Sequence, residues 1–131
     1  MRGRSAWFAT LLFVAACASP RERAFKAALK DYNRINRAAV EFARAQAKQL
    51  VAATQTFQAA RERWPQTFED LVQFAFSNRL TLDPSAFNDV TFAALPDNSV
   101  QVYYDINCAR FDTPPYKFTQ SGSVNVKARR P

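Results

Sequence analysis

The chain has 131 residues, with 18 Lys or Arg against 11 Asp or Glu, two glycines and no histidine. This length suffices for one modest core once a leader is set aside. Without histidine, Ser-His-acid triads and His-containing metal sites are excluded, and Gly122, the sole glycine beyond position 3, cannot build a glycine-rich phosphate cradle.

Arg2 and Arg4 form a positive start, Trp7 to Ala16 an uncharged apolar run of ten residues, and small residues close the run. This order matches a secretory signal peptide over 1–16. It is too short for a membrane span, which takes about 20 apolar residues, and Arg21, Glu22 and Arg23 follow closely. Gly3 separates the two arginines, so a twin-arginine export signal is unsupported.

The run ends Val14-Ala15-Ala16-Cys17, which resembles the lipobox of bacterial lipoproteins, with Val14 where that family usually has leucine. The resemblance implies cleavage between Ala16 and Cys17, lipid attachment at Cys17 through acyl chains such as palmitate, and a firm anchor, since each buried methylene adds about 0.8 kcal/mol. Ala18 and Ser19 lack the inner-membrane retention aspartate of that family's enterobacterial members, which implies an outer-membrane location facing the periplasm. The alternative is an ordinary signal peptide cut nearby, with Cys17 incidental.

From Pro20, suited to a first helical turn, to about Arg63, no proline or glycine interrupts a sequence rich in alanine, glutamine and basic residues. The reading is one long helix. Phe25, Leu29, Tyr32, Ile35, Ala39, Phe42, Leu50, Ala53, Phe57, Ala60 and Trp64 recur at heptad-like spacing. Arg23, Lys26, Lys30, Arg34, Arg37, Arg44 and Lys48, interrupted by Glu41, form a second stripe about two residues out of phase, which a helix turns to the opposite face. Charge follows: residues 18–64 hold ten Lys or Arg against four acids, whereas 65–131 hold six against seven.

Pro65 ends the helix. Thr67 and Asp70 then stand in the relation of an N-terminal cap, and Phe68, Leu71, Val72, Ala75 and Phe76 follow at helical spacing toward a terminator at Asn78. Pro84 and Asn88-Asp89 mark a loop. Beyond it the period changes to two: Val90, Phe92 and Ala94, a turn at Pro96-Asp97-Asn98-Ser99, then Val100, Val102, Tyr104 and Ile106. A loop with Cys108, Phe111 and Pro114-Pro115 leads to a second pair, Tyr116–Gln120 and Ser123–Ala128, joined at Ser121-Gly122. With Cys17 lipidated, Cys108 has no partner for an internal disulfide, and the default for such a thiol is packing as a small hydrophobe.

These elements predict an α+β class: a long N-terminal amphipathic helix, a short second helix, and an antiparallel β-meander of about four strands. The expected organisation is a signal peptide over 1–16, a lipidated N-terminus with the basic helix over 17–64, and a small α+β domain over 65–131 packed on the C-terminal half of that helix. A helix of about 43 residues runs roughly 65 Å and a seven-residue strand roughly 23 Å, so the sheet cannot cover the whole apolar stripe. This layout, with Trp64-Pro65-Gln66-Thr67-Phe68-Glu69-Asp70-Leu71 between helix and sheet, resembles the pilin and pseudopilin subunits of type IV pili and type II secretion. The prepilin cleavage site and the glutamate of the family's apolar helix are missing, so no family functional residue carries over.

No catalytic residue, metal or cofactor is expected. Glu69 and Asp70 are adjacent and suit the helix dipole, and Asp97, Asp105 and Asp112 fall in or near turns and strand faces. Lys26, Lys30 and Arg34 oppose one another at i, i+4 spacing, and anionic phospholipid headgroups would relieve that, at about 1 kcal/mol per cation. Nucleic acid is not an expected partner, although Tyr103, Tyr104 and Tyr116 could stack bases in principle. The expected function is a lipid-anchored envelope module acting without catalysis, with self-association or docking to an envelope protein through the N-terminal helix. The alternatives are a pilin-like accessory subunit, and an envelope hydrolase or its regulator.

Overall fold

The structure, a computed structural model, describes residues 19–129. The signal segment 1–16, the Ala16–Cys17 cleavage position, Cys17 itself and residues 130–131 lie outside the described residues. The chain divides into two compact units, Met1–Ile35 and Asn36–Pro131, and the boundary falls inside the first helix, α1, Pro20–Arg61.

In the first unit, the start of α1 has a local cause in addition to Pro20. Ser19 Oγ accepts from the Glu22 amide at 3.2 Å, so Ser19-Pro20-Arg21-Glu22 has a capping serine, proline at the first helical position and an acid at the third. Phe25 is 68% and Leu29 46% exposed, while Tyr32 and Ile35 are half-buried.

The second unit holds the core. Along its part of α1, Ala39, Ala43, Leu50, Ala53, Thr54 and Phe57 are buried; Ala39, Leu50, Ala53 and Phe57 belong to the expected apolar stripe and Trp64 beyond the helix is buried too, whereas Ala60, expected in that stripe, is exposed. Thr54 sits inside this stripe by returning its hydroxyl to the Leu50 carbonyl at 2.7 Å. Phe42 is half-buried, its ring 5.6 Å from Phe111 and beneath the Arg110 guanidinium at 4.3 Å. The helix ends at Glu62, which takes the left-handed conformation at φ 58° and donates its amide to Gln58 O at 2.8 Å.

The second helix, α2, spans Phe68–Ser77. Thr67 caps it as expected, accepting from the Asp70 amide at 3.1 Å, and Asn78 is its C-cap. Beyond the cap, Arg79 at φ 55° donates to Phe76 O and Leu80 to Ala75 O, the paired closure usually built on glycine. Helical spacing suggests Phe76 for the buried face, and the structure corrects this. Phe74 is the buried ring, its centroid 5.0 Å from Phe57, whereas Phe76 is 87% exposed.

Three antiparallel strands follow in the order β1 (Phe87–Ala94), β2 (Ser99–Ile106) and β3 (Gln120–Lys127). Asn88-Asp89, expected in a loop, lies inside β1, where the register shifts between Phe87 and Asp89; a bulge accommodates turn-prone residues within a strand. Asn98, at φ 64°, closes the β1–β2 turn. The inward face of β2 presents Val100, Val102 and Ile106, each at most 1% exposed, with Val90 and Val126 beside them.

The expected fourth strand does not form. Pro114 and Pro115 have no amide to give a ladder, and Thr113 and Tyr116 close a tight turn around them with bonds of 3.0 and 2.6 Å. Phe118 is buried and its amide donates to Asp112 Oδ1 at 2.9 Å. Ser121-Gly122, expected to be a hairpin turn, is extended backbone within β3, opposite Asp105 and Tyr104. The glycine serves space, because a Cβ at Gly122 would stand 2.6 Å from the Tyr104 hydroxyl oxygen.

Candidate interaction surface

The seven basic residues singled out from sequence all fall within α1, and all seven are exposed. Arg23, Lys26, Lys30 and Arg34 belong to the first unit, and Arg37, Arg44 and Lys48 to the second. Within each unit they recur at steps of three, four or seven residues, which keeps them on one face of the helix there. Among the described residues, the sole ion pair of this set joins Arg34 to Asp31 at 3.6 Å, with both side chains at least 70% exposed. An exposed pair of this kind contributes little. The other six cations have no ion-pair partner among the described residues, although Glu41 lies four residues after Arg37 and three before Arg44. The face therefore keeps its positive charge.

The acids weighed for chemistry have structural partners. Asp70 Oδ2 accepts from Arg63 Nη1 at 3.0 Å and from the Gln66 amide at 3.4 Å, and the Arg63 bond chiefly holds its carboxyl below the usual range, against the opposing effect of burial. Arg63 also lies over the Phe57 ring at 5.0 Å. This ties the α1–α2 turn to the core. Glu69 accepts from Gln73 at 3.4 Å. Asp97 accepts from both the hydroxyl and the amide of buried Ser99, and the hydroxyl bond chiefly lowers its pKa. Asp105 accepts from Ser121 Oγ at 3.1 Å across β2 and β3. Among the described residues, no three carboxylates or thiols gather as a metal site would require.

Cys108 is 2% exposed. Burial pushes its thiol pKa up, and the nearby charges of Asp105 and Asp112 add to this. A thiol held protonated and out of water packs as a small hydrophobe.

A second surface was not legible in the sequence. Two shallow apolar grooves meet at Leu80. One, about 320 Å³, runs between Lys48, Ala52 and Thr56 of α1 and Thr81. The other, about 350 Å³, is lined by Val72, Phe76, Arg79, Leu82 and Pro84. The cation in each, Lys48 or Arg79, has no acidic lining residue beside it.

The tyrosines considered for base stacking are dispersed in role. Tyr103 stands 52% exposed on the outer sheet face, Tyr104 lies against Gly122, and Tyr116 belongs to the Pro114–Pro115 turn. No described helix is long and apolar enough to cross a membrane.

The geometry thus defines an α+β domain with a cationic helix face and an apolar groove system. Comparison of the chain with protein-family models, curated proteins and solved structures gives no match.

Proposed function

We propose that this chain is an exported envelope lipoprotein, anchored through acylated Cys17 at the periplasmic face of the outer membrane, which acts by contact and without catalysis. Its working surface is the basic face of α1, and its ligand is an anionic headgroup surface. The observation that supports this reading is the exposure of Arg23, Lys26, Lys30, Arg34, Arg37, Arg44 and Lys48, with a single ion pair among them. A solvated helix face that served solubility alone would be expected to interleave acids at i, i+4 spacing. Here Arg23, Lys26, Lys30 and Arg34 hold one ion pair among the described residues, that of Arg34 with the exposed Asp31.

The test is flotation of the non-lipidated Cys17→Ala chain with vesicles of phosphatidylglycerol in phosphatidylcholine. Each cation near an anionic surface contributes about 1 kcal/mol. Neutralising three, as Lys26→Gln, Lys30→Gln and Arg34→Gln together, should therefore weaken binding roughly 150-fold, and salt should weaken the parent chain steeply. Binding that ignores both salt and the triple substitution would refute the headgroup reading.

A second reading is a pilin-like accessory subunit of a secretion or pilus system. The order of elements favours it: one long helix, the Trp64–Leu71 segment that leads into α2, and an antiparallel sheet. Docking through the exposed Phe25 and Leu29 would be its signature, so loss of envelope crosslinks on Phe25→Ser with retained vesicle binding would select it.

A further inference from the structure

We propose that the outer edge of β3 is a docking site for an extended, acidic-ended segment of another protein, which joins the sheet as a further strand. The sheet ends there with its main chain unpaired. Leu95 donates its amide to Ser99 O at 2.9 Å, so the odd-numbered residues of β2 turn their main-chain groups toward β1. By the alternation of an antiparallel ladder, Val100, Val102, Tyr104 and Ile106 turn theirs toward β3, where they meet Val126, Val124, Gly122 and Gln120. The amides and carbonyls of Ser121, Ser123 and Asn125 therefore face away from the sheet. All three residues are exposed, and none of these main-chain groups has a hydrogen-bond partner among the described residues. Lys127, next in the alternation, accepts with its carbonyl from Gln55 Nε2 at 3.4 Å, which closes that end of the edge.

The two edges of the sheet differ. β1 carries the bulge between Phe87 and Asp89 and the charge of Asp89, both of which discourage a further strand. β3 pairs with β2 over eight residues without a shift, and from Gln120 to Val126 it holds no charge and no proline. The Tyr104 ring reaches across Gly122. Its hydroxyl oxygen lies 2.6 Å from where a Gly122 Cβ would stand and has no hydrogen-bond partner among the described residues. An added strand runs about 4.8 Å beyond β3, so a short polar side chain opposite Gly122 can meet that hydroxyl.

Charge selects the occupant. Lys127 is exposed at the last position of β3, Arg129 follows two residues later, and neither forms an ion pair among the described residues. Asp97, close to the Ser99 that pairs with Lys127, is already held by the Ser99 hydroxyl and amide. A segment that is neutral beside 121–125 and acidic beside Lys127 matches this edge. A second copy does not. For a second β3 to use all the open groups, the pairing must be antiparallel and two-fold about Ser123. That register sets Lys127 opposite Thr119 and Arg129 opposite Lys117 of the second copy, so cation meets cation and neither gains an acid.

The experiment is fluorescence anisotropy of a labelled synthetic peptide of about eight residues, alternating threonine and valine and ending in glutamates, titrated with the full chain up to about 1 mM. A second peptide ends in lysines, and a third is the glutamate peptide N-methylated throughout. Saturable binding of the glutamate peptide is expected. Ser123→Pro removes an outward amide and no ladder bond to β2, so it should weaken binding roughly tenfold or more while the urea midpoint stays near that of the parent. The N-methylated peptide has no amide hydrogen to give and should not bind, a result that leaves the protein untouched. Lys127→Glu should weaken the glutamate peptide several-fold and strengthen the lysine peptide. Lys26→Gln, Lys30→Gln and Arg34→Gln together should leave peptide binding unchanged, which separates this edge from the headgroup face of α1. Absence of binding, binding that ignores Ser123→Pro, or binding of the N-methylated peptide overturns the proposal. Equal affinity for the glutamate and lysine peptides does so too, as does loss of binding in the α1 triple variant. Self-association of the chain that Ser123→Pro abolishes overturns it in favour of a second copy.

Discussion

Truncation of Phe74 and truncation of Phe76 should differ in cost by about an order of magnitude, although the rings are two residues apart on α2. Phe74 is 5% exposed, meets the Phe57 ring edge-on at 69° and 5.0 Å, and lies under the Arg61 guanidinium at 5.4 Å. Removing a ring from such a site loses its transfer free energy and leaves a cavity among groups that relax only partly, about 3–5 kcal/mol for Phe→Ala. Phe76 is 87% exposed, so in the monomer Phe76→Ala removes little buried area and should fall within about 0.5 kcal/mol of the parent. Small domains have about 5–15 kcal/mol in total, hence Phe74→Ala removes about a fifth of the stability at least. With a urea slope of about 2 kcal/mol per molar, a loss of about 4 kcal/mol lowers the midpoint by about 2 M. The Phe76→Ala midpoint should move by less than about 0.3 M. The assay is urea unfolding followed by helical circular dichroism, with the protein dilute enough to exclude association. Equal midpoint shifts for the two variants, or a larger shift for Phe76→Ala, would refute the placement of these rings and the core assignment built on it.

Two further outcomes follow from the backbone and from Cys108. Glu62 and Arg79 close their helices in the left-handed region at φ 58° and 55°, where a side chain costs about 1–2 kcal/mol and glycine returns about 0.4–1 kcal/mol of that as unfolded-chain entropy. Glu62→Gly and Arg79→Gly should each raise the melting temperature by a few degrees, up to about 8 °C, whereas Glu62→Ala should not; equal behaviour of Gly and Ala in thermal scans would contradict the helix closures. Burial raises the folded-state pKa of Cys108 above its unfolded value. The stability this contributes is present in full below about pH 8.5 and is lost as pH rises through the folded pKa, since only the unfolded chain gives up the proton readily. Cys108→Ala should flatten the alkaline limb of the stability profile, and a thiol reagent should label the parent at pH 8 only at the rate of opening; immediate stoichiometric labelling of Cys108 in the native chain would contradict its burial.

Local chemistry carried much of the architecture into view. Absence of proline and glycine after Pro20, the stop before Pro65, the Thr67–Asp70 cap and the two-residue period of β2 each act within a few residues, so they can be read in order along the chain. The cationic face of α1 is legible for the same reason, because residues three and four apart on a helix are neighbours whatever surrounds them. The Ser19 cap on the Glu22 amide is equally local.

What the sequence could not convey depends on partners distant along the chain. Phe74 and Phe76 have equal hydrophobicity, and what separates them is the position of Phe57 on another helix. Gly122 has the composition of a turn, yet it is extended because it pairs with Tyr104 in the β2–β3 ladder, and the Tyr104 ring occupies the space a Cβ would need. The fourth strand fails because Phe118 turns inward and Asp112 takes its amide, a bond no periodicity announces. By itself, then, the sequence determined the long basic helix, the class of fold and the start of each helix, since these rest on backbone rules and nearest neighbours. Tertiary structure alone decided which rings enter the core, how many strands the sheet holds and that an apolar groove opens beside Phe76, because burial depends on surfaces that folding brings together.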